Sequence, residues 1–268
     1  MGRLLSEAAL HGSSVVANCA MNRERQLAGV NSYARVLGFD PVDWLAATRI
    51  DGADDTAGAD GTDGTDGTRG PAWLDLCCGS GRALVQAAEQ LPSATIVGVD
   101  LVDAFVSARP GVETSGTGQP ADAGHLAGRA GGTGGTSRAE GGVSFVVAPV
   151  EAWEPDRAFD LITCVHGLHY VGDKLAVLAR MARCLRPGGR FVADLDLDGI
   201  RLADGQPAGR RLVTRLRGAG LAYDARRRRI SCTGPVQLDL PYAYLGADDR
   251  AGPNYTGQPA VHSFYDLL

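Results

Sequence analysis

The feature that most constrains this chain is a glycine-rich turn joining an apolar strand directly to a helix. Residues 73–84 read WLDLCCGSGRAL, and the next apolar run, ATIVGVD at residues 94–100, ends in Asp100. Gly79 and Gly81 let the backbone approach a ligand where a side chain would block it. Asp100 can accept hydrogen bonds from two ribose hydroxyls. Together these residues predict a binding site for a nucleoside cofactor.

The two nucleoside cofactors that suit such a turn are a dinucleotide and S-adenosylmethionine. A dinucleotide site needs a third small residue to pack helix against strand, and Leu84 stands at that position. The run DLCCGSG, which begins at Asp75, instead resembles the first motif of class I S-adenosylmethionine-dependent methyltransferases. In that motif an acidic residue precedes glycines at alternate positions, and Cys77 occupies the first glycine position.

Two later segments carry the same resemblance. FDLITCVHGLHYV at residues 159–171 resembles the fourth-strand motif of the family, and LRPGGRFV at residues 185–192 resembles the turn into its fifth strand. The resemblance covers residues 71 to about 195. It implies an α/β fold, with a doubly wound, seven-stranded, mostly parallel sheet of the Rossmann-like methyltransferase type. The alternation of strands and helices independently predicts a parallel sheet covered on both faces.

The resemblance also implies S-adenosylmethionine as the cofactor and assigns residues to it by position. Asp75 would face the methionine amino group, and Asp100 would bind the ribose. The other residues assigned to the cofactor are Cys77, Gly79, Gly81, Leu101, Val150 and Cys164. Pro149 stands where the family often has an aspartate for the adenine amino group, and Glu151 could take its place.

The candidate catalytic residues are His166, His169 and Tyr170. They follow the fourth strand, at the carboxyl edge where open α/β sheets bind ligands. Either histidine could remove a proton from the methyl acceptor, because histidine titrates near neutrality. His169 could equally be a packing residue, and Tyr170 could donate a hydrogen bond to the substrate.

Other charged residues are open to two interpretations. The aspartates at 194, 196 and 198 would share one face if the fifth strand continued, and could then bind an amine or steer a hydroxyl. They could also be solvated turn residues. The four arginines at residues 226–229 are interpreted as a solvated hairpin edge. No metal site is expected, since the aspartates of the DGT repeat lie three apart, unlike the ligands of a calcium loop.

The chain divides into four predicted segments. Residues 1–50 form an N-terminal helical cap, with helices over 23–37 and from Pro41, whose Asn18, Asn22, Tyr33 and Trp44 would cover the substrate pocket. Residues 51–70 form a flexible linker, and residues 71–245 form the cofactor-binding domain, with a disordered insert at 111–142. Residues 246–268 form a polar tail that could fold over a pocket or be inert.

Within the domain the patterns predict alternating elements. Helices are expected at residues 81–90, 103–108, 173–184 and 207–218, and the sequence RPGG at 186–189 predicts a turn. Strands are expected at residues 72–77, 94–100, 143–148, 159–165, 190–195, 229–232 and 236–245. The last two would form an antiparallel hairpin.

Composition limits the partners and the compartment. The 268 residues carry a net charge of −5, which argues against nucleic acid as a partner. No apolar run is long enough for a membrane span, and the N-terminus does not read as a signal peptide. The six cysteines are interpreted as free thiols in a reducing cytoplasm. A single lysine and abundant Gly, Ala and Asp suggest a bacterial source.

These observations predict a methyltransferase that acts on an oxygen or nitrogen of a small molecule, in bacterial secondary metabolism, as a monomer or homodimer. The principal alternative is an enzyme of the same fold that binds S-adenosylmethionine but catalyses a non-methylating reaction such as decarboxylation or cyclisation. A non-enzymatic binding module and an NAD enzyme are further alternatives. Whether S-adenosylhomocysteine is formed separates the first two.

Overall fold

The computed structural model describes residues 4–17, 25–51, 70–105, 136–138 and 142–268. Within these ranges the α-helices are Glu7–His11 (α1), Ser14–Ala17 (α2), Tyr33–Leu37 (α3), Pro41–Asp51 (α4), Arg82–Gln90 (α5), Lys174–Arg183 (α6) and Gly209–Gly218 (α7). Two short 3-10 helices span Leu168–Tyr170 and Leu197–Gly199. The described strands are Ala72–Leu76 (β1), Thr95–Asp100 (β2), Thr136–Arg138 (β3), Val143–Val147 (β4), Phe159–Cys164 (β5), Leu185–Asp194 (β6), Ile200–Leu202 (β7), Ala222–Asp224 (β8), Arg229–Thr233 (β9), Tyr242–Asp248 (β10) and His262–Leu267 (β11).

The main sheet has the strand order β3-β4-β2-β1-β5-β6-β9-β8. The five strands from β4 to β6 in this order run parallel, whereas β9 is antiparallel to β6 and β8 is antiparallel to β9. These seven strands confirm the predicted doubly wound, mostly parallel sheet. At one edge β3 adds an eighth strand, antiparallel to β4. Of the insert at 111–142 that we expected to be disordered, the structure describes only residues 136–138, which form β3, and residue 142; the rest lies outside the described residues.

Successive residues of the central strand enter two apolar clusters, one on each face of the sheet. Leu74 and Leu76 of β1 belong to a cluster that includes α6 and α7. Trp73, between them, belongs to a cluster that includes α3, α4 and α5. Because side chains alternate along a strand, helices cover both faces of the sheet. The carboxyl edge of the parallel strands is left for a site.

Helix α6 shows how the sequence sets the limits of an element. The Asp173 side chain accepts a hydrogen bond from the Ala176 N–H at 3.1 Å and so caps the first turn. Leu178 and Met181, three residues apart, are fully buried on the side that faces the sheet. The predicted helix over residues 173–184 is therefore correct to within one residue at each end.

In the N-terminal region the predicted helix from Pro41 is present as α4, whereas the predicted helix over residues 23–37 is shorter. Of residues 23–37, only Tyr33–Leu37 is helical among the described residues. Gly29 bends the chain with φ of 101°, and Ser32 caps α3 by accepting the Arg35 N–H at 3.3 Å. Residues 18–24, with Asn18 and Asn22, lie outside the described part of the chain, as do residues 52–69 of the predicted linker.

Helix α1 packs against the opposite end of the chain rather than against α3 and α4. Its Leu10 forms a small buried cluster with Ala247 and Val261. In addition, Leu5 pairs with Ala247 through two backbone hydrogen bonds of 2.7 and 3.1 Å. The N-terminal cap and the C-terminal tail are therefore parts of one surface.

A second, three-stranded sheet was not predicted. Its order is β10-β11-β7, with β11 antiparallel to β10 and parallel to β7. The predicted strand over residues 236–245 is correct only for residues 242–245, which lie in β10. Its predicted hairpin with residues 229–232 is wrong, because β9 pairs with β8 instead. Strand β10 crosses the predicted boundary between the domain, which ends at residue 245, and the tail, which begins at residue 246, and the tail itself contains β11.

Two local predictions also need correction. The turn at residues 186–189 lies inside β6, where Leu185 pairs with Phe159 and Arg190 pairs with Leu161, so the intervening residues form a bulge. Residues 103–105 of the predicted helix at 103–108 are not helical, and the remainder lies outside the described ranges. Among the helices that the structure describes, none has the length and apolar character needed to cross a membrane.

Candidate active site

The turn after β1 is built from three left-handed residues at alternate positions. Cys77, Gly79 and Gly81 have φ of 54°, 63° and 70°. A left-handed conformation costs a side-chain-bearing residue about 1–2 kcal/mol, which glycine avoids. Cys77 bears that cost at the position where the motif has its first glycine. At Gly81 an added Cβ would also lie 2.2 Å from the ring of Phe145, so the helix start and β4 can approach only with glycine there.

Asp100, at the end of β2, is fixed by the backbone on both carboxylate oxygens. One oxygen accepts the Gly79 N–H at 2.9 Å and the other accepts the Val102 N–H at 3.1 Å. The glycine turn and Asp100 therefore form one unit, as their sequence spacing predicted.

These elements open onto a space of about 650 Å³, counted with its open mouth, here called the first cavity. It is lined by His11, Val16, Cys77, Gly79, Asp100, Leu101, Val102, Ala104, Pro149, Val150, Glu151, Tyr170 and Val171. The lining contains five of the eight residues predicted to bind the cofactor and one of the three predicted catalytic residues. A cavity of this size, mostly apolar with a few polar groups, suits a ligand of nucleoside size.

Asp75 does not line the first cavity and lies fully buried behind it. Its carboxylate accepts hydrogen bonds from Thr163 Oγ1 at 2.5 Å and from the hydroxyl of Tyr33. Burial raises the pKa of Asp75 to about 7, although both of these hydrogen bonds lower it. The predicted contact with a methionine amino group stays a prediction, and Tyr33 is the residue that meets Asp75 in this structure.

Cys164 also lies behind the first cavity, where β5 meets the glycine turn. The neighbouring Cys164 thiol is the largest cause of the raised pKa of the Cys77 thiol, ahead of burial. Gly167 fits tightly over both, because an added Cβ would lie 2.4 Å from Cys77 Cβ and 2.8 Å from Cys164 Sγ. The five cysteines among the described residues are free thiols.

A histidine-glutamate pair from distant parts of the chain closes one side of the first cavity. Nε2 of His11 lies 3.5 Å from Glu151 Oε2, and Glu151 Oε1 accepts the Gly172 N–H at 2.8 Å. Burial would raise the pKa of Glu151, but His11 and Gly172 outweigh it and lower the pKa; Glu151 in turn raises the pKa of His11. No sequence pattern indicated His11, and Glu151 was considered only as an adenine contact.

His166 stands on the loop after β5 in a left-handed conformation, with φ of 59°. Its Nδ1 lies 3.2 Å from Oδ2 of Asp194, the last residue of β6, and Asp194 is also 3.5 Å from Nε of Arg229. Burial lowers the pKa of His166, and Asp194 partly offsets this. A lowered pKa favours the neutral imidazole, which can accept a proton.

His169 and Tyr170 lie in the 3-10 helix but face different spaces. Tyr170 lines the first cavity. The side chain of His169 is buried, and its Nε2 has no hydrogen-bond partner among the described residues. Burial lowers the pKa of His169 to about 3, helped by the charges of Lys174 and Arg228. The ring of His169 lies 6.1 Å from that of His166 and 5.5 Å from that of Tyr255.

The three alternating aspartates do not share a strand face, because β6 ends at Asp194. Asp196 caps the 3-10 helix Leu197–Gly199 and pairs with Arg228 at 2.7 Å, and Asp198 Oδ2 lies 3.9 Å from the same arginine. The arginine run is only partly a solvated edge, since Arg228 and Arg229 both reach aspartates beside His166 and His169. Residue composition alone could not show which of the four arginines turn inward.

Comparison with known proteins shows where this architecture recurs. A family model described as a methyltransferase domain matches residues 63–217, which is more than half of the chain. The chain is 33% identical over 121 residues to a ubiquinone/menaquinone biosynthesis C-methyltransferase of Geobacter sulfurreducens. That match covers 44% of this chain and 39% of the relative.

Other similar proteins have related names. A trans-aconitate 2-methyltransferase of an Acidovorax species is 29% identical over 117 residues, covering 43% of this chain and 34% of that protein. The chain thus spans less than half the length of these curated relatives. Among solved structures, the sugar N-methyltransferase KedS8 from a Streptoalloteichus species is 21% identical, with a TM-score of 0.30, over 57% of this chain and 46% of that one.

Proposed function

Since the chain belongs to the methyltransferase domain family, in the class I S-adenosylmethionine-dependent superfamily with S-adenosylmethionine as cofactor, we propose that it methylates an oxygen or nitrogen atom of a small molecule. The observation that carries this proposal is the first cavity, in which Asp100 and the glycine turn meet the loop that bears the histidines. The two curated relatives described above are named for methylation in quinone biosynthesis and of trans-aconitate. Both names refer to small-molecule metabolism.

The residues of the first cavity fit an adenosine moiety. Asp100 lines the first cavity and is held in place by two backbone N–H groups, and its carboxylate would accept hydrogen bonds from the ribose hydroxyls. Leu101 and Val150 would pack against the adenine ring. Pro149 offers no side-chain acceptor to the adenine amino group, so we propose that backbone groups serve there. Gly79 leaves room for the ligand beside the turn.

The cofactor supplies an activated methyl group, and the chain must supply position and a proton acceptor. We propose that His166 receives the proton that an oxygen or nitrogen acceptor loses. Its neutral imidazole and its contact with Asp194 at 3.2 Å support this role. The pKa of about 3 makes His169 a weak base, which favours His166 of the two candidates. Tyr170 would contact the acceptor from the first cavity.

The proposal extends to the setting of the enzyme. We propose that it acts in a bacterial cytoplasm, as a monomer or homodimer, without nucleic acid or membrane partners. The free thiols of the adjacent Cys77 and Cys164 support a reducing compartment. The net charge of −5 supports the absence of nucleic acid.

The test has two measurements. The first is the affinity of the chain for S-adenosylhomocysteine, and the second is the formation of S-adenosylhomocysteine from labelled S-adenosylmethionine with a panel of hydroxyl and amine acceptors. Asp100→Asn should weaken S-adenosylhomocysteine binding about tenfold or more, because the amide replaces one acceptor oxygen with a donor. Asp103→Asn is the matched control, since Asp103 is exposed and does not line the first cavity. A product that forms without S-adenosylhomocysteine would contradict methyl transfer and support a non-methylating reaction.

A further inference from the structure

A second cavity lies on the other side of the 3-10 helix Leu168–Tyr170. It encloses about 820 Å³, counted with its open mouth, and is lined by His169, Lys174, Asp196, Asp198, Gly199, Arg201, Arg228, Ala251, Pro253, Asn254, Tyr255, Ala260, Val261 and His262. His169 lines this second cavity while its neighbour Tyr170 lines the first. Because the two cavities are lined by neighbouring residues of one 3-10 helix, a molecule in the second cavity would lie next to the proposed cofactor site.

The C-terminal tail forms the outer wall of the second cavity. The Val261 N–H donates to the carbonyl of His169 at 2.8 Å, which joins the tail to the 3-10 helix. The ring of Tyr255 meets that of His169 edge-on, at an interplanar angle of 72°, and the guanidinium of Arg228 lies 4.6 Å from the centre of the Tyr255 ring. The wall is thus held by specific contacts on both sides of the cavity.

Three polar side-chain atoms around the second cavity are buried without a hydrogen-bond partner among the described residues: His169 Nε2, Arg201 Nε and Asn254 Nδ2. The amide of Asn254 is oriented by Thr256, whose N–H and hydroxyl donate to Asn254 Oδ1 at 2.8 and 2.6 Å. This leaves Nδ2 as an unused donor. Leaving a buried polar group without a hydrogen-bond partner is unfavourable, so a group of such atoms around one cavity indicates a missing ligand.

Two cations that line the second cavity, Lys174 and Arg201, form no ion pair within the described part of the chain. Asp196 is neutralised by Arg228 at 2.7 Å, and Asp198 lies 3.9 Å from the same arginine. Lys174 donates to the carbonyls of Val171 and Val261 and to Ser263 Oγ, at 2.7 to 2.9 Å, so its three N–H groups are used. Arg201 Nη1 donates to the backbone carbonyl of Gly205 at 3.5 Å, and its Nε has no hydrogen-bond partner among the described residues.

We propose that the second cavity binds the methyl acceptor, and that the acceptor carries a carboxylate held by Arg201 and Asn254. This inference rests on the proposed function, which it deepens by naming the substrate class. Arginine suits a carboxylate because its fork of donors matches the two oxygens. With the carboxylate anchored there, the atom to be methylated would extend past His169 toward His166 and the first cavity.

The test measures binding of simple carboxylates and their neutral counterparts to the full chain loaded with S-adenosylhomocysteine. The probes are benzoate and cinnamate against benzamide and cinnamamide, with saturation-transfer NMR and calorimetry at millimolar concentration. We expect the two acids to bind about tenfold or more tightly than their amides, because only the acids present an anion to Arg201. Equal binding of acids and amides, or no binding of either acid, would overturn the proposal.

Substitutions of Arg201 test whether this residue causes the preference for acids over amides. Arg201→Gln should abolish the preference for acids, and Arg201→Lys should restore part of it because the cation remains. Arg210→Gln removes the same charge from an exposed position of α7 and should change nothing. An acid preference that survives Arg201→Gln in a folded variant would overturn the proposal. Affinity for S-adenosylhomocysteine should be equal in all four proteins; failure of the wild type to bind it would count against the proposed function instead.

Discussion

Leu84 is the residue that distinguished the two candidate cofactors in the sequence. The residue that it packs against explains why a leucine fits at this position. In a dinucleotide site the corresponding position is small so that helix and strand can pack closely. Here the small residue is on the strand: an added Cβ at Gly98 of β2 would lie 2.7 Å from Leu84 Cδ1 and 2.8 Å from Cys78 Sγ. The sequence shows the leucine, but only the packing of α5 on β2 shows that Gly98 makes room for its side chain.

His166 is the residue whose proposed role is most open to direct measurement. His166→Gln should lower kcat by about 10²–10⁴, the usual contribution of a general base, with little change in S-adenosylhomocysteine affinity. The wild-type rate should fall in acid with a midpoint below pH 6.5, because burial lowers the pKa of this imidazole and protonation removes its lone pair. Steady-state kinetics as a function of pH measures both effects.

If the rate of the His166→Gln variant fell in acid with the same midpoint as that of the wild type, a group other than His166 would be responsible for the fall. The same conclusion would follow if kcat were nearly unchanged. In either case the role of base would move away from His166, while the proposed cofactor site would stand.

At the scale of elements, prediction succeeded where the sequence signal is local. The limits of β1, β2, β5 and α6 agree with the structure to within one or two residues, because buried apolar runs and a capping aspartate define them. Prediction failed where the conformation of a segment depends on which strand it pairs with. Residues 236–241 have an apolar alternation but are not a strand, since β9 pairs with β8 and β10 joins a different sheet.

Helix α6 and strand β11 are joined by Lys174, the lone lysine of the chain, and this contact predicts a pH effect. Burial lowers the pKa of Lys174 to about 7, against the raising effects of Glu151, Asp173 and Asp196. Between pH 7 and the unfolded pKa of 10.5, the unfolded chain binds a proton that the folded chain does not. The free energy of unfolding should therefore rise with pH across this window through Lys174.

Urea unfolding of the wild type and Lys174→Met, from pH 7 to about pH 10, isolates this contribution. The difference in unfolding free energy, wild type minus variant, should increase with pH. Arg183→Met, at an exposed position of the same helix, should give a difference that does not vary with pH. A constant difference for Lys174→Met would mean that the lysine has the same pKa in both states.

At the scale of the whole molecule, the two cavities differ in how far the sequence reveals them. The first cavity is built largely from residues 77–104 and 149–151, and the glycine-turn motif with the acidic residue after it indicated three of its lining residues, Cys77, Gly79 and Asp100. The second cavity joins residues 169–174, 196–201, 228 and 251–262. No periodicity spans such separations, and the placement of the tail depends on the unpredicted sheet β10-β11-β7.

The N-terminal helix shows the same limit. His11 reaches the first cavity because α1 packs on the tail through Leu10, Ala247 and Val261. Both ends of the chain must therefore be placed before the site is complete. Fold-level resemblance suggested that the N-terminal helices cover a pocket, but it did not identify which residue enters it.

The central claim is that the first cavity holds the adenosine of S-adenosylmethionine, and a crystal structure of the chain with S-adenosylhomocysteine tests it most directly. The account predicts both ribose hydroxyls within hydrogen-bond distance of the Asp100 carboxylate, the adenine between Leu101 and Val150, and the sulfur on the side of Tyr170. Electron density for the ligand elsewhere, or a ribose that makes no contact with Asp100, would contradict it.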